Sequence, residues 1–251
     1  GGAAGLASAL AAAQTGVRVM IVDEQPEIGG AFHFDIGATV DGQSGWDWAQ
    51  ATVAKLKGMS NVTVLSRTTA FGYHNHNYVA LVERVTDHIA KPSKNQPRER
   101  LWQVRAKRVI IASGSIERHM VFANNDRPGI MLASAGRTYL NHFGVAVGAK
   151  VGVYTAHDSA YEAAIDLKKA GVSVPVIVDA REKPGEGVLA QARALGIEVL
   201  TGHGVVDTSG RLRVRSITVR RNGGGSTRKI EVDALLMSAG WTPSVHMFSQ
   251  S

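Results

Sequence analysis

Short β-branched runs alternate with helix-forming stretches along this chain, and the alternation occurs twice in the same order. In the first round, residues 5–15 are rich in leucine and alanine and read as a helix stopped by Gly16. Residues 17–22 then read as a buried strand, with a turn at Pro26, Gly29 and Gly30. A helix over 44–58 and a strand over 62–65 follow. Stretches 68–73, 78–85 and 101–105 read as an antiparallel meander, interrupted by a polar loop at 91–100, and 108–112 as one more strand. Residues 130–143 read as a helix. The second round places strands at 150–155, 174–179 and 197–201 around helices at 159–170 and 187–195. An antiparallel pair (211–221 and 228–232) and a last strand (234–238) complete it.

Strands that alternate with helices pair in parallel through right-handed crossovers. The expectation is therefore an α/β chain of two tandem Rossmann-like dinucleotide-binding domains, with parallel sheets and antiparallel meanders or hairpins. Residues 1–115 form the first domain and 116–148 a connecting segment with a helix. Residues 149–238 form a second, degenerate domain, and 239–251 a return segment to the first.

Composition narrows the function. With 44% hydrophobic residues in 251, the chain carries enough apolar surface to exclude intrinsic disorder. It has no cysteine, which excludes disulfides, thiolate metal sites and dithiol redox chemistry. A cytoplasmic home agrees with that. No apolar run reaches the length of a membrane span. The net charge of +7 is spread along the chain without a nucleic-acid-binding motif, so it reads as a solvated surface.

One segment carries a mechanism. Gly2, Ala3, Ala4 and Gly5 match the last two glycines of G-x-G-x-x-G, in which small residues let the backbone approach a pyrophosphate at a helix N-terminus. Eighteen residues after Gly5, Asp23 ends the next strand, where a carboxylate accepts from an adenosine ribose and repels a 2′-phosphate; Glu24 strengthens that bias. The corresponding turn of the second round reads Ala156, His157, Asp158, Ser159 and Ala160, with no glycine, which argues against a second nucleotide site there. Asp179 occupies the matching strand end and reads as a turn residue.

Other features are weaker. His74 and His76, two apart on a strand, would share a face, but no third ligand is near and a solvated loop is the better reading. Arg211, Arg213 and Arg215 alternate as an exposed basic strand face would. Asp126, Arg127, Pro128 and Gly129 read as an ion-paired turn. His119 and Trp241 fit no nameable step, so no catalytic residue and no metal ligand is assigned.

The glycine turn, Gly29 and Gly30, the meander and the stretch ending at Ala112, Ser113 and Gly114 resemble the pyridine-nucleotide-disulfide oxidoreductase superfamily. Residues 113–118, 121–135, 158–161 and 240–250 narrow the resemblance to the alpha subunits of heterotetrameric sarcosine oxidases. That resemblance implies NAD bound in this chain, held by Gly2, Ala3, Ala4 and Gly5. Asp23, Glu24 and Gln25 would lie at the ribose, Gly30 and Ala31 beside the diphosphate and Ala70 and Phe71 near the adenine, with Gly114 completing the set. It implies beta, gamma and delta subunit partners, and FAD, FMN and tetrahydrofolate in the whole complex. The implied reaction is oxidative demethylation of sarcosine to glycine with peroxide formation. It further implies that a first strand and first glycine precede Gly1 and that a folate-binding domain follows Ser251. A self-contained FAD-dependent NAD(P)H oxidoreductase and a non-binding assembly scaffold are the alternatives.

Overall fold

Leu6, Ala9 and Ala13 recur at helical spacing, and the helix they specify, α1 (Ala3–Gln14), buries all three. In this computed structural model, which describes residues 1–250, α1 opens the first of two compact units, formed by Gly1–Gly114 with residues 243–250. The second unit is Ser115–Thr242.

In the first unit, β1 (Val19–Val22) pairs in parallel with β4 (Val62–Leu65), Val19 opposite Val62. The crossover between them carries a small hairpin, β2 (Thr39–Val40) and β3 (Gln43–Ser44), and then α2 (Gly45–Lys57). Ser44 caps α2, its hydroxyl accepting from the Asp47 N–H. Asp47 in the first turn and Lys55 and Lys57 in the last follow the helix dipole. Leu6, Ile21, Ala49, Val53 and Leu56 close the core between the helices and the parallel pair. The meander is β5 (Thr68–His74), β6 (Tyr78–Arg84) and β7 (Glu99–Arg105), antiparallel in that order, over a smaller cluster around Leu65, Val79 and Leu81.

In the second unit five parallel strands lie in the order β12 (Glu198–Thr201), β11 (Val176–Asp179), β10 (Val151–Thr155), β16 (Ala234–Ser238), β9 (Ile130–Leu132). Every residue of β10, β11 and β16 is buried, as central parallel strands require. On one face pack α3 (Ala133–Asn141), α4 (Ser159–Lys169) and α5 (Glu186–Ala194). The other face is covered by an antiparallel sheet of β13 (His203–Ser209), β14 (Ser216–Arg221) and β15 (Thr227–Glu231). The short strands β8 (Ser115–Glu117) and β17 (Trp241–Pro243) flank this unit in sequence. Among the described residues no helix is long and apolar enough to cross a membrane.

Three stretches depart from the sequence reading. Residues 108–112 form no strand: no ladder partner lies beside them among the described residues, Ile110 stays 64% exposed, and Ala112 instead packs against Gly5 of α1. The expected helix over 130–143 begins only at Ala133, because Ile130, Met131 and Leu132 pair with Leu235, Leu236 and Met237. A three-residue apolar run cannot reveal that choice by its period. The basic stretch 211–215 is a turn, not a strand. Gly210, at φ +147, folds it back so tightly that a Cβ there would meet the Arg213 carbonyl. Arg213 then donates to the Asp233 carbonyl at 2.7 Å, and the expected strand begins only at Ser216, as β14.

α3 and α4 are joined by a buried ion pair. Arg137 Nε donates to Asp166 Oδ2 at 2.8 Å, both side chains 8% exposed, and Asn141 donates to the same oxygen at 2.9 Å. Removing one partner of such a pair strands the other charge. Arg137→Met is therefore expected to lower unfolding stability by roughly 3–5 kcal/mol in urea titration, where an exposed substitution moves it by about 0.5 kcal/mol or less.

Candidate functional site

The N-terminus of α1 is bare. Gly2 is its N-cap with no side chain to fold back, no acid stands in the first turn, and the first intrahelical bond is Leu6 N–H to Gly2 O at 2.9 Å. The N–H groups of Ala3, Ala4 and Gly5 therefore have no acceptor within the helix, and the dipole adds positive potential around them. Gly30 packs directly against this turn. It adopts φ +57, and a Cβ on it would lie 2.6 Å from Gly2 Cα, so only glycine fits. Ala31 lies in a short 3-10 turn (Gly30–His33), and its carbonyl accepts from Asp35 N–H at 2.9 Å.

Asp23 follows β1 and is fixed on all sides. Its N–H donates to Leu65 O at 2.9 Å, its carbonyl accepts from Thr68 N–H at 2.8 Å, and Oδ1 accepts from Gln25 N–H at 2.8 Å. Oδ2 lies 3.1 Å from the backbone nitrogen of Gly1, which sets the carboxylate beside the glycine turn. A Cβ on Gly1 would sit 2.1 Å from that oxygen. Glu24 and Gln25 are exposed. The structure thus brings Gly2, Ala3, Ala4, Gly5, Gly30 and Asp23 to one corner. Ala70 and Phe71 lie at a break in register between β5 and β6, which leaves Phe71 outside the ladder and 54% exposed while Ala70 packs inward. Gly114, at φ +70, is tied to the return segment by Ser244 N–H on its carbonyl at 2.9 Å.

The equivalent corner of the second unit is filled by its own side chains. Thr155 Oγ1 accepts from His157 N–H at 2.9 Å and His157 Nδ1 from Ser159 N–H at 3.2 Å. Trp241 Nε1 donates to Ser159 Oγ at 3.0 Å. Asp158 accepts from Gly185 N–H at 3.2 Å and pairs with Arg181 at 2.7 Å. Asp179 is fully buried and takes hydrogen bonds from the Tyr161 hydroxyl at 2.9 Å and the Arg181 guanidinium at 2.7 Å. Burial pushes the Asp158 carboxyl up, but hydrogen bonds and charge from Arg181 outweigh it and hold the group below its ordinary value. The Tyr161 phenol is pushed far up by burial and then by the Asp179 charge, so it stays a donor. Asp179 is thus a partner of Arg181, with no capacity left over for a ribose.

The remaining candidates separate. His76, at φ +63, sits in the turn after β5, off the strand that carries His74, whose ring lies 5.5 Å from that of Tyr78. Arg127 donates to Thr208 Oγ1 at 3.3 Å and to the Gly210 carbonyl, pinning the 124–129 turn to the end of β13. A residue that sequence reasoning passed over is Arg84, whose Nη2 donates to Glu24 O at 2.7 Å. The two are 60 positions apart, and no spacing rule links them.

The family described as "Pyridine nucleotide-disulphide oxidoreductase" matches residues 1–251. The chain is 42% identical over 246 residues to sarcosine oxidase subunit alpha of Rhizobium meliloti (strain 1021), covering 98% of this chain and 24% of that protein. It is also 42% identical over 258 residues to sarcosine oxidase subunit alpha of Corynebacterium sp. (strain P-1), covering 99% and 26%. The chain spans about a quarter of the length of these relatives. Among solved structures, thioredoxin reductase of T. acidophilum superposes with a TM-score of 0.74 at 16% identity, covering 99% of this chain and 77% of that one, a likeness of fold alone.

Because Asp179 is buried, Arg181→Ala is expected to cost roughly 3 kcal/mol in chemical unfolding. In the intact protein the depressed Asp158 carboxyl adds stability above its ordinary pKa, about 4, and that stability is lost as pH falls through the folded value. An NMR titration should show the Asp158 pKa rise in Arg181→Ala.

Proposed function

The chain belongs to the pyridine nucleotide-disulphide oxidoreductase family, and from that membership we propose that it is the NAD-binding part of a heterotetrameric sarcosine oxidase alpha subunit. The observation that carries the reading is the contrast between the two corners. One has three helix-start amides with no acceptor within the helix, a glycine floor and an anchored acid. The other is closed by Asp158, Asp179 and Arg181. The residues present fit a dinucleotide. The amides of Ala3, Ala4 and Gly5, with Gly2, Gly30 and Ala31 beside them, would take the diphosphate. Asp23, Glu24 and Gln25 would take the adenosine ribose, the Ala70 and Phe71 backbone the adenine, and Gly114 would complete the site. Bound NAD supplies a hydride-accepting nicotinamide.

In this reading the protein's own part is to bind and orient. Asp23 and Glu24 place two acids where a 2′-phosphate would be repelled, which favours NAD over NADP. The amine oxidation itself belongs to flavins held with the beta subunit, FAD and FMN. The one-carbon unit passes to tetrahydrofolate in a further domain, and beta, gamma and delta chains are the partners. The likeness to named sarcosine oxidase alpha subunits at 42% identity supports this assignment. A flavin-dependent NAD(P)H oxidoreductase complete in one chain is disfavoured by the filled second corner. An assembly scaffold would bind no nucleotide at all.

Gly2→Val tests the reading. A Cβ at Gly2 finds only Gly30 Cα, at 3.6 Å, so the fold tolerates it, while the branched side chain stands among the bare amides. In equilibrium dialysis the full chain is expected to bind NAD, and Gly2→Val to lose at least about tenfold in affinity with its circular dichroism unchanged. NAD binding undiminished in Gly2→Val overturns the proposed site. A yellow protein that oxidises NADH alone supports the flavin-dependent alternative.

A further inference from the structure

The loop after β1 is held to the meander through its carbonyls. Asp23 O accepts from Thr68 N–H at 2.8 Å and Gln25 O from Arg67 N–H at 2.9 Å. Between them, Glu24 O accepts from Arg84 Nη2 at 2.7 Å, a bond supplied by a side chain. Arg84 is itself anchored, its N–H donating to Arg67 O at 3.0 Å, and Arg67 is held in the left-handed region at φ +52. The Arg84 Nε is buried with no partner among the described residues. A buried, unpaired donor is unfavourable, so the arginine is not placed here by complete satisfaction of its own groups.

The bond to Glu24 has a consequence one peptide away. Glu24 C=O and Gln25 N–H belong to the same planar unit and point in opposite directions. Arg84 grips the oxygen at one end, and the N–H at the other end donates to Asp23 Oδ1 at 2.8 Å. The sequence is continuous: guanidinium, Glu24 carbonyl, Gln25 amide, Asp23 carboxylate. A cation on the carbonyl polarises the peptide and strengthens its N–H as a donor. It also fixes the plane that aims the carboxylate.

We propose that Arg84 is a positioning residue for ribose recognition: through the single peptide between Glu24 and Gln25 it orients the Asp23 carboxylate toward the adenosine 2′-hydroxyl. The proposal rests on the NAD reading above and adds the group that sets its selectivity.

The test couples the side chain to the hydroxyl. Wild-type full chain and Arg84→Met, which keeps length and apolar bulk but removes every donor, are titrated calorimetrically with NAD and with its adenosine 2′-deoxy analogue. Arg84→Met is expected to bind NAD about tenfold more weakly, the scale of a charge-assisted hydrogen bond, and the deoxy analogue within about twofold of wild type. If Arg84→Met is unfolded by circular dichroism, the same pair of titrations is made on Arg84→Gln, a polar side chain too short to reach the Glu24 carbonyl. Equal weakening toward both nucleotides, or no weakening toward NAD, overturns the positioning role while leaving the NAD site in place. A wild-type chain that binds neither nucleotide overturns the NAD reading, and the role with it.

Discussion

A helix begins with amide N–H groups that it cannot satisfy, and what answers those groups is the constraint on which this molecule turns. In the first unit the start of α1 is left open. Gly2 offers no side chain, and Gly30 packs so close that nothing larger could sit there. In the second unit the His157 ring accepts from the Ser159 N–H that opens α4, and side chains pack the turn. Thr155, His157 and Asp158 occupy the turn before α4, and Arg181 binds Asp158 to the buried Asp179. The same strand–turn–helix geometry therefore gives an open corner once and a closed structural joint the second time.

Arginine makes several of the fixed points, and each is tied to a different electrostatic problem. Arg137 neutralises Asp166 between two helices, where an isolated carboxylate would be costly. Arg181 gives Asp179, at the end of a fully buried strand, a guanidinium partner. Arg127 ties a loop to the end of β13 through a hydroxyl and a carbonyl, with no carboxylate among these partners. Arg84 likewise meets a carbonyl, that of Glu24, and through that peptide is linked to Asp23. An overall charge of +7 conceals this division between solvated cations and internal ones.

Much of the fold was legible locally. The segment 62–65 and the strand over 234–238 were bounded as they occur, because short β-branched or apolar runs flanked by breakers leave little choice. α2 carried its own signals in Ser44, Asp47 and the closing lysines. What failed was what depends on a neighbour. Residues 108–112 have strand composition but no ladder among the described residues, Ile130 to Leu132 became a strand because Leu235 to Met237 lie alongside, and 211–215 turned because Gly210 bends over Arg213. β-structure is a property of pairs, and one segment does not announce its partner.

The site divides in the same way. The chain itself determined the glycine turn, the acid eighteen residues later, the lack of any dithiol and the lack of glycine in the second turn, since each is a matter of residue type at fixed local spacing. Tertiary structure alone decided that Gly30 closes on Gly2, that Arg181 fills the second corner, and that Arg84 reaches back over 60 positions to the Glu24 carbonyl. Apart from Arg181 on Asp179, two positions away, those contacts join segments far apart along the chain. Their distances are set by the packing of sheets and helices, which local residue patterns do not encode.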